Sequence, residues 1–218
     1  MSVNQTIIAY IFDMDGVVVN NHKYHFQAWI EFSKKYKFAL DETIYRNQFN
    51  GKTNADLFRM IFGSIANEKI LEYSLEKENT YQRLYESEIK PHTGLIDFLS
   101  FLKSQQFKIA LGTSAPTTNV NFTLDKLGLR QYFDAIVDGS QVTKGKPDPE
   151  VYSLCCQKIG VSPNQCLVFE DSLAGLESGK NAGCSVVGVA TSHTKEELSG
   201  HAHQIIYDFT EIRDLLKI

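Results

Sequence analysis

Six short apolar runs punctuate this chain, each halted by polar or glycine residues or by a helix-patterned stretch, and they limit the folds open to it. Ile7 to Phe12 runs into Asp13, and Phe107 to Leu111 runs into Gly112-Thr113-Ser114. Asp134 to Val137 ends at Asp138-Gly139, and Cys166 to Phe169 ends at Glu170-Asp171. Ser185 to Val189 and Gln204 to Ile206 complete the set. Runs this short and continuous, with β-branched residues, predict strands buried on both faces. Between them apolar residues recur at helical spacing, as in Leu95, Phe98, Leu99 and Leu102, or Val151, Leu154, Cys155 and Ile159. Strands alternating with helices predict an α/β fold, a parallel sheet with helices on both faces.

Residues 20–90 interrupt that alternation. The stretch is helix-patterned throughout, rich in Tyr, Phe and Glu, and offers no convincing strand. It predicts an all-helical cap domain inserted after the first strand, with residues 1–19 and 91–218 forming the core. A length of 218 residues suits a core plus one insertion.

Composition narrows the partners. With 22 basic and 26 acidic residues, and no clustered Lys/Arg run, the chain carries no electrostatic footprint for nucleic acid. The apolar run from Thr6 to Val19 is broken by Asp13 and Asp15, and no stretch is long enough to span a membrane. Cys155, Cys156, Cys166 and Cys184 match no zinc spacing and no CxxC pair, so they read as buried free thiols in a reducing, cytoplasmic compartment. A monomer is the default expectation.

Chemistry gathers at the strand ends, where a parallel sheet binds its ligands. Asp13 and Asp15 follow the first strand, Thr113 and Ser114 another, and Glu170 and Asp171 a third. Lys146 lies in the Lys144-Gly145-Lys146-Pro147 segment. Carboxylates, a hydroxyl and an ammonium are what a phosphoryl transition state needs, because its catalysis is mostly positioning and charge stabilisation. Magnesium takes hard oxygen ligands. Asp13 and Asp171 could supply them, with a main-chain carbonyl of the first loop, and Glu170 is either a ligand or a supporting group. A carboxylate can also act as nucleophile, and a second one two residues on, Asp15, can serve as general acid and base.

Asp13-Met14-Asp15-Gly16-Val17, Gly112-Thr113-Ser114, Gly145-Lys146-Pro147-Asp148-Pro149 and Phe169-Glu170-Asp171-Ser172 resemble the four motifs of the haloacid-dehalogenase-like hydrolases, in the family's order and across essentially the whole chain. The resemblance implies a Rossmann-like core with a helical cap inserted after the first motif. It implies Asp13 as nucleophile and Asp15 as acid and base. Thr113 and the Ser114 amide would bind the phosphoryl group, with Lys146 neutralising it. The implied metal is Mg2+, with Asp13, Asp15, Glu170 and Asp171 as the candidate metal residues. Dehalogenases lack the second aspartate, so Asp15 points to phosphate chemistry.

Tyr24-His25-Phe26-Gln27-Ala28-Trp29 further resembles the hinge of the β-phosphoglucomutase-like phosphatases and mutases, and Lys77 followed by Tyr81 resembles the mutase's cap lysine. Where the mutase has a cap arginine for a distal phosphate, this chain has Asn54, with Lys52 close by; an amide does not replace a bidentate guanidinium. His25, Lys52, Asn54 and Lys77 are the expected substrate contacts. Trp29, Phe26, Tyr81 and Tyr85 read as cap packing, Ser172 as a helix cap, and His22, His92, His193, His201 and His203 as surface residues. The expected activity is Mg2+-dependent hydrolysis of a small phosphorylated metabolite through an aspartyl-phosphate. The rivals are a phosphosugar mutase, a non-enzymatic phospho-aspartate switch and a binding protein that uses the same fold without catalysis.

Overall fold

A computed structural model of the chain describes residues 7–212. The ends of the expected core, residues 1–6 and 213–218, lie outside the described residues. All six expected strands form: β1 (Ala9–Phe12), β2 (Lys108–Gly112), β3 (Ala135–Val137), β4 (Cys166–Glu170), β5 (Ser185–Val189) and β6 (Gln204–Ile206). They make one sheet in the order β3-β2-β1-β4-β5-β6, parallel throughout.

Four helices lie between β1 and the return to the core. They are α1 (His22–Tyr36), the single turn α2 (Glu42–Ile44) continuing into a π-helical turn at Tyr45–Phe49, α3 (Asn54–Phe62) and α4 (Asn67–Tyr85). The core helices are α5 (Leu95–Ser104), α6 (Thr117–Leu127), α7 (Glu150–Ile159), α8 (Leu173–Asn181) and the short α9 (Lys195–Leu198).

Alternation along β1 divides the core into two layers. Tyr10 and Phe12 pack on one side with Phe98 and Leu99 of α5 and Val120 and Leu124 of α6. Ala9 and Ile11 pack on the other with Val151 and Tyr152 of α7 and Leu176 of α8. Both faces of β1 are therefore buried, which is why its sequence is apolar without a break. The helical insertion has its own core of Trp29, Phe32, Tyr45, Phe49, Leu57, Phe58 and Ile70. Tyr24, Ala28, Tyr81 and Tyr85 of the insertion join the main core instead, so the two bodies share apolar packing.

The four cysteines are free and buried, as expected. Among the described residues no helix is long and apolar enough to cross a membrane.

Candidate active site

The strand order reverses between β1 and β4: the chain builds outward through β2 and β3, then returns across β1 to start β4. Such a switch point leaves a crevice at the carboxyl ends of the strands, because the flanking connections diverge there. Register puts Phe12 beside both Leu111 and Phe169, so the residues that follow these strands emerge together. The Asp13 amide continues the ladder, donating to Phe169 O at 3.0 Å.

Lys146 closes the group. Its Nζ donates to Asp13 Oδ1 at 2.6 Å and to Glu170 Oε1 at 2.5 Å, with all three side chains buried. Asp13, Asp15, Thr113, Ser114, Lys146 and Asp171 line one cavity of about 70 Å³. Glu170 is already fully engaged. Its Oε1 also accepts from Tyr152 OH at 3.0 Å, and its Oε2 accepts from the amides of Asp171 and Ser172 at 2.7 and 2.8 Å. A carboxylate so occupied has little left to offer a ligand, which favours the supporting role for Glu170. Ser172 caps α8 as expected, its hydroxyl accepting from the Gly175 amide.

Among the described residues, Asp13, Glu170 and Asp171 bring carboxylate oxygens within 4.8 Å of one another, a set that could hold a metal ion. Burial pushes Asp13 well above the usual carboxylate range; Lys146 opposes this, while Glu170, Asp15 and Asp171 add to it. These three buried carboxylates share two cationic partners, Lys146 and His22, and their clustered hard oxygens suit a divalent cation. The donor set therefore fits magnesium. Asp15, also expected in the metal set, is absent from it: Asn21 Nδ2 donates to its Oδ1 at 2.6 Å, and His25 Nε2 lies 3.5 Å from its Oδ2. Burial raises Asp15, but His25, Asn21 and His22 outweigh that and bring it down to about 2.

The insertion supplies the roof. His25, Lys52, Asn54 and Lys77 all line the cavity, as do Trp29, Tyr45, Phe49, Leu57 and Glu78. Lys77 is buried, with Nζ 2.8 Å from His25 Nδ1. An ammonium only donates, so Nδ1 accepts and the ring proton sits on Nε2, facing Asp15. Burial and then the Lys77 charge lower His25, against the opposing pull of Asp15 and Glu78. Lys52 is exposed at the rim.

Two histidines expected on the surface instead face Asp171. His22 Nε2 lies 2.6 Å from Asp171 Oδ2, and His193 is buried with Nδ1 3.2 Å from Asp171 O. His92 is half-buried, whereas His201 and His203 are exposed. A zinc site would show in the spacing of its ligands, but a histidine facing a distant carboxylate leaves no spacing to read. Tyr81 does more than pack: its OH accepts from Asn21 Nδ2 at 2.7 Å, and its ring stacks on His25 at 3.7 Å. Sequence reasoning also missed Glu78 and Asn119, which meet across the cavity. Glu78 adjoins Lys77 in sequence, but nothing local marks Asn119.

The family pattern described as haloacid dehalogenase-like hydrolase matches residues 10–189. The chain belongs to the haloacid dehalogenase-like hydrolases. It is 32% identical to a phosphorylated carbohydrates phosphatase of Thermotoga maritima, over 84% of this chain and 86% of that one. It is also 32% identical to a beta-phosphoglucomutase of Bacillus subtilis, over 83% of this chain and 82% of that one. A solved hydrolase of this family from Entamoeba histolytica superposes with a TM-score of 0.85 at 31% identity, covering 97% of this chain and all of that one. The family assignment agrees with the order of the four motifs and with the strand ends that three of them occupy.

Proposed function

We propose that this family member is a magnesium-dependent phosphatase of small phosphorylated metabolites, most simply sugar phosphates. The observation that carries the reading is Lys146 bridging Asp13 and Glu170 beside Asp15, in a cavity that also holds Thr113 and Ser114. The Thermotoga relative's activity on phosphorylated carbohydrates supports the substrate class.

In the proposed reaction Asp13 attacks phosphorus and the bond to the leaving oxygen breaks. Asp15 gives that oxygen its proton. Asp15 then takes a proton from the water that attacks phospho-Asp13, which releases phosphate, restores the Asp13 carboxylate and returns Asp15 to its protonated form. The low pKa of Asp15 is compatible with the first step, because the arriving phosphate's like charge raises a neighbouring carboxyl. Lys146 neutralises Asp13 and the phosphoryl oxygens, and Thr113 with the Ser114 amide orients them. Asp13 and Asp171, with a first-loop carbonyl, would hold magnesium, which supplies charge neutralisation when bound. Residues 20–90 act as the cap that excludes bulk water, closing over the site through His25, Asn54 and Lys77. Free thiols support a reducing compartment such as the cytoplasm.

The mutase reading has the Bacillus relative in its favour. It also needs a firm grip on a second phosphate. Asn54, in the place of the expected arginine, instead gives its amide to Glu78 at 2.7 Å.

The test is a panel of phosphorylated metabolites assayed for phosphate release with and without Mg2+, beside Asp13→Asn. Release from at least one small monoester, dependent on Mg2+ and reduced at least about 10³-fold in Asp13→Asn, is expected. Isomerisation of a hexose 1-phosphate without phosphate release would favour the mutase.

A further inference from the structure

The cap-side half of the cavity holds a carboxylate that the proposed reaction does not use. Glu78 is 3% exposed and lines the cavity. Its Oε1 accepts from Asn54 Nδ2 at 2.7 Å and from Lys77 Nζ at 3.0 Å. Its Oε2 accepts from Asn119 Nδ2 at 2.7 Å and from Lys77 Nζ at 3.1 Å. The charge of Lys77 is thereby cancelled at contact distance.

The other cations of the cavity are committed too. Lys146 serves Asp13 and Glu170, and His22 faces Asp171. Lys52 is the exception, and it is exposed at the rim. The cavity walls also include Trp29, Tyr45, Phe49 and Leu57, with the amides of Asn50, Asn54 and Asn119. Apolar faces interleaved with amides suit a hydroxylated carbon skeleton. They offer no buried counter-charge to a second anion, which would meet a buried carboxylate at a contact where like charges are costly.

We infer that Glu78 is a specificity-determining residue that restricts the site to monophosphates with an uncharged, hydroxyl-bearing body, by cancelling Lys77 and repelling a second anionic group. The inference rests on the phosphatase reading for its first phosphate site, and it names the substrate class for that site.

The test compares binding of glucose 6-phosphate and glucose 1,6-bisphosphate by calorimetry, in the Asp13→Asn background that blocks turnover, with Mg2+ present. The monophosphate should bind at least about tenfold more tightly than the bisphosphate. Glu78→Gln, which frees Lys77, should narrow that ratio about tenfold by tightening the bisphosphate. Glu78→Asp keeps the charge and should keep the preference, which a purely structural role for the side chain would not do. Asn54→Lys keeps glutamate at position 78 but exchanges its Asn54 hydrogen bond for a second cation and should also tighten the bisphosphate, so the outcome does not hang on one variant folding. Equal binding of the two ligands by the Glu78 chain, or a ratio that Glu78→Gln and Asn54→Lys leave unchanged, would overturn the role of Glu78. Phosphate release by the unmutated chain is scored separately: turnover of no monophosphate overturns the phosphatase reading, whatever the binding ratios are.

Discussion

His22 Nε2 lies 2.6 Å from Asp171 Oδ2, joining the first residue of α1 to the carboxyl end of β4 across 149 positions of sequence. Thr191 Oγ1 also approaches Asp171 Oδ2, at 3.3 Å, while donating to Gly16 O at 2.8 Å. The insertion and the proposed metal carboxylate are thus in direct contact.

That contact should compete with a cation for Asp171. Burial disfavours a charged His22, but Asp171, Asp15 and Asp13 outweigh it and raise its pKa. His22→Ala should therefore lower the half-saturating Mg2+ concentration by about tenfold, the equivalent of one charge-assisted hydrogen bond. Magnesium titration by calorimetry measures the effect. An unchanged or weaker affinity would show that His22 supports the cation rather than opposing it.

Gly16 has φ +82, and a Cβ there would collide with Asp171 Oδ2 and His22 Nε2. Gly16→Ala should leave the fold intact but displace Asp171. Magnesium affinity and kcat should fall together, while the far-ultraviolet dichroism spectrum stays unchanged. The expected stability cost is about 1–2 kcal/mol, from the strained left-handed backbone. Full activity in this variant would mean the loop relaxes without moving the carboxylate.

Lys146 is the buried cation between Asp13 and Glu170. Lys146→Met should destabilise the chain by about 3 kcal/mol, because removing one partner leaves buried carboxylates uncompensated. Urea denaturation would measure this, and saturating Mg2+ should restore part of the loss if the cation binds these carboxylates. A variant as stable as the parent would contradict the ion-pair geometry.

Glu78 gives a pH signature. Burial raises it, but Lys77, His25 and the amides of Asn54 and Asn119 more than offset this, so its folded pKa lies below the ordinary value. A depressed acid stabilises the fold fully above its unfolded pKa, about 4.3, and that contribution is lost as pH falls through the folded value. The stability of the unmutated chain should drop more steeply between about pH 5 and 3 than that of Glu78→Gln. Parallel acid limbs in urea midpoints would sink the assignment.

Much of this architecture can be read along the chain because its causes are local. A strand buried on both faces must be apolar along its length, so Ile7–Phe12 and Cys166–Phe169 announced β1 and β4 to within two residues. The polar residue that ends such a strand is fixed at its carboxyl end, so Asp13, Thr113 and Asp171 could be placed beside one crevice. His25 and Lys77, singled out from a motif on the insertion's helices, line the same cavity. His22 was not singled out. It read as a surface residue because its partner lies 149 positions away and leaves no periodic trace.

Residue order alone was enough to specify the sheet, the helical insertion and the side chains delivered to the strand ends, since periodicity and apolar continuity depend on near neighbours. How the charges pair was left to the folded chain: Asn21 with Asp15, His22 with Asp171, Glu78 with Asn54, Lys77 and Asn119. Those pairings depend on how the insertion folds back over the sheet. A buried charge takes whichever partner that packing brings within hydrogen-bond reach, and distance in space carries no signature in sequence spacing.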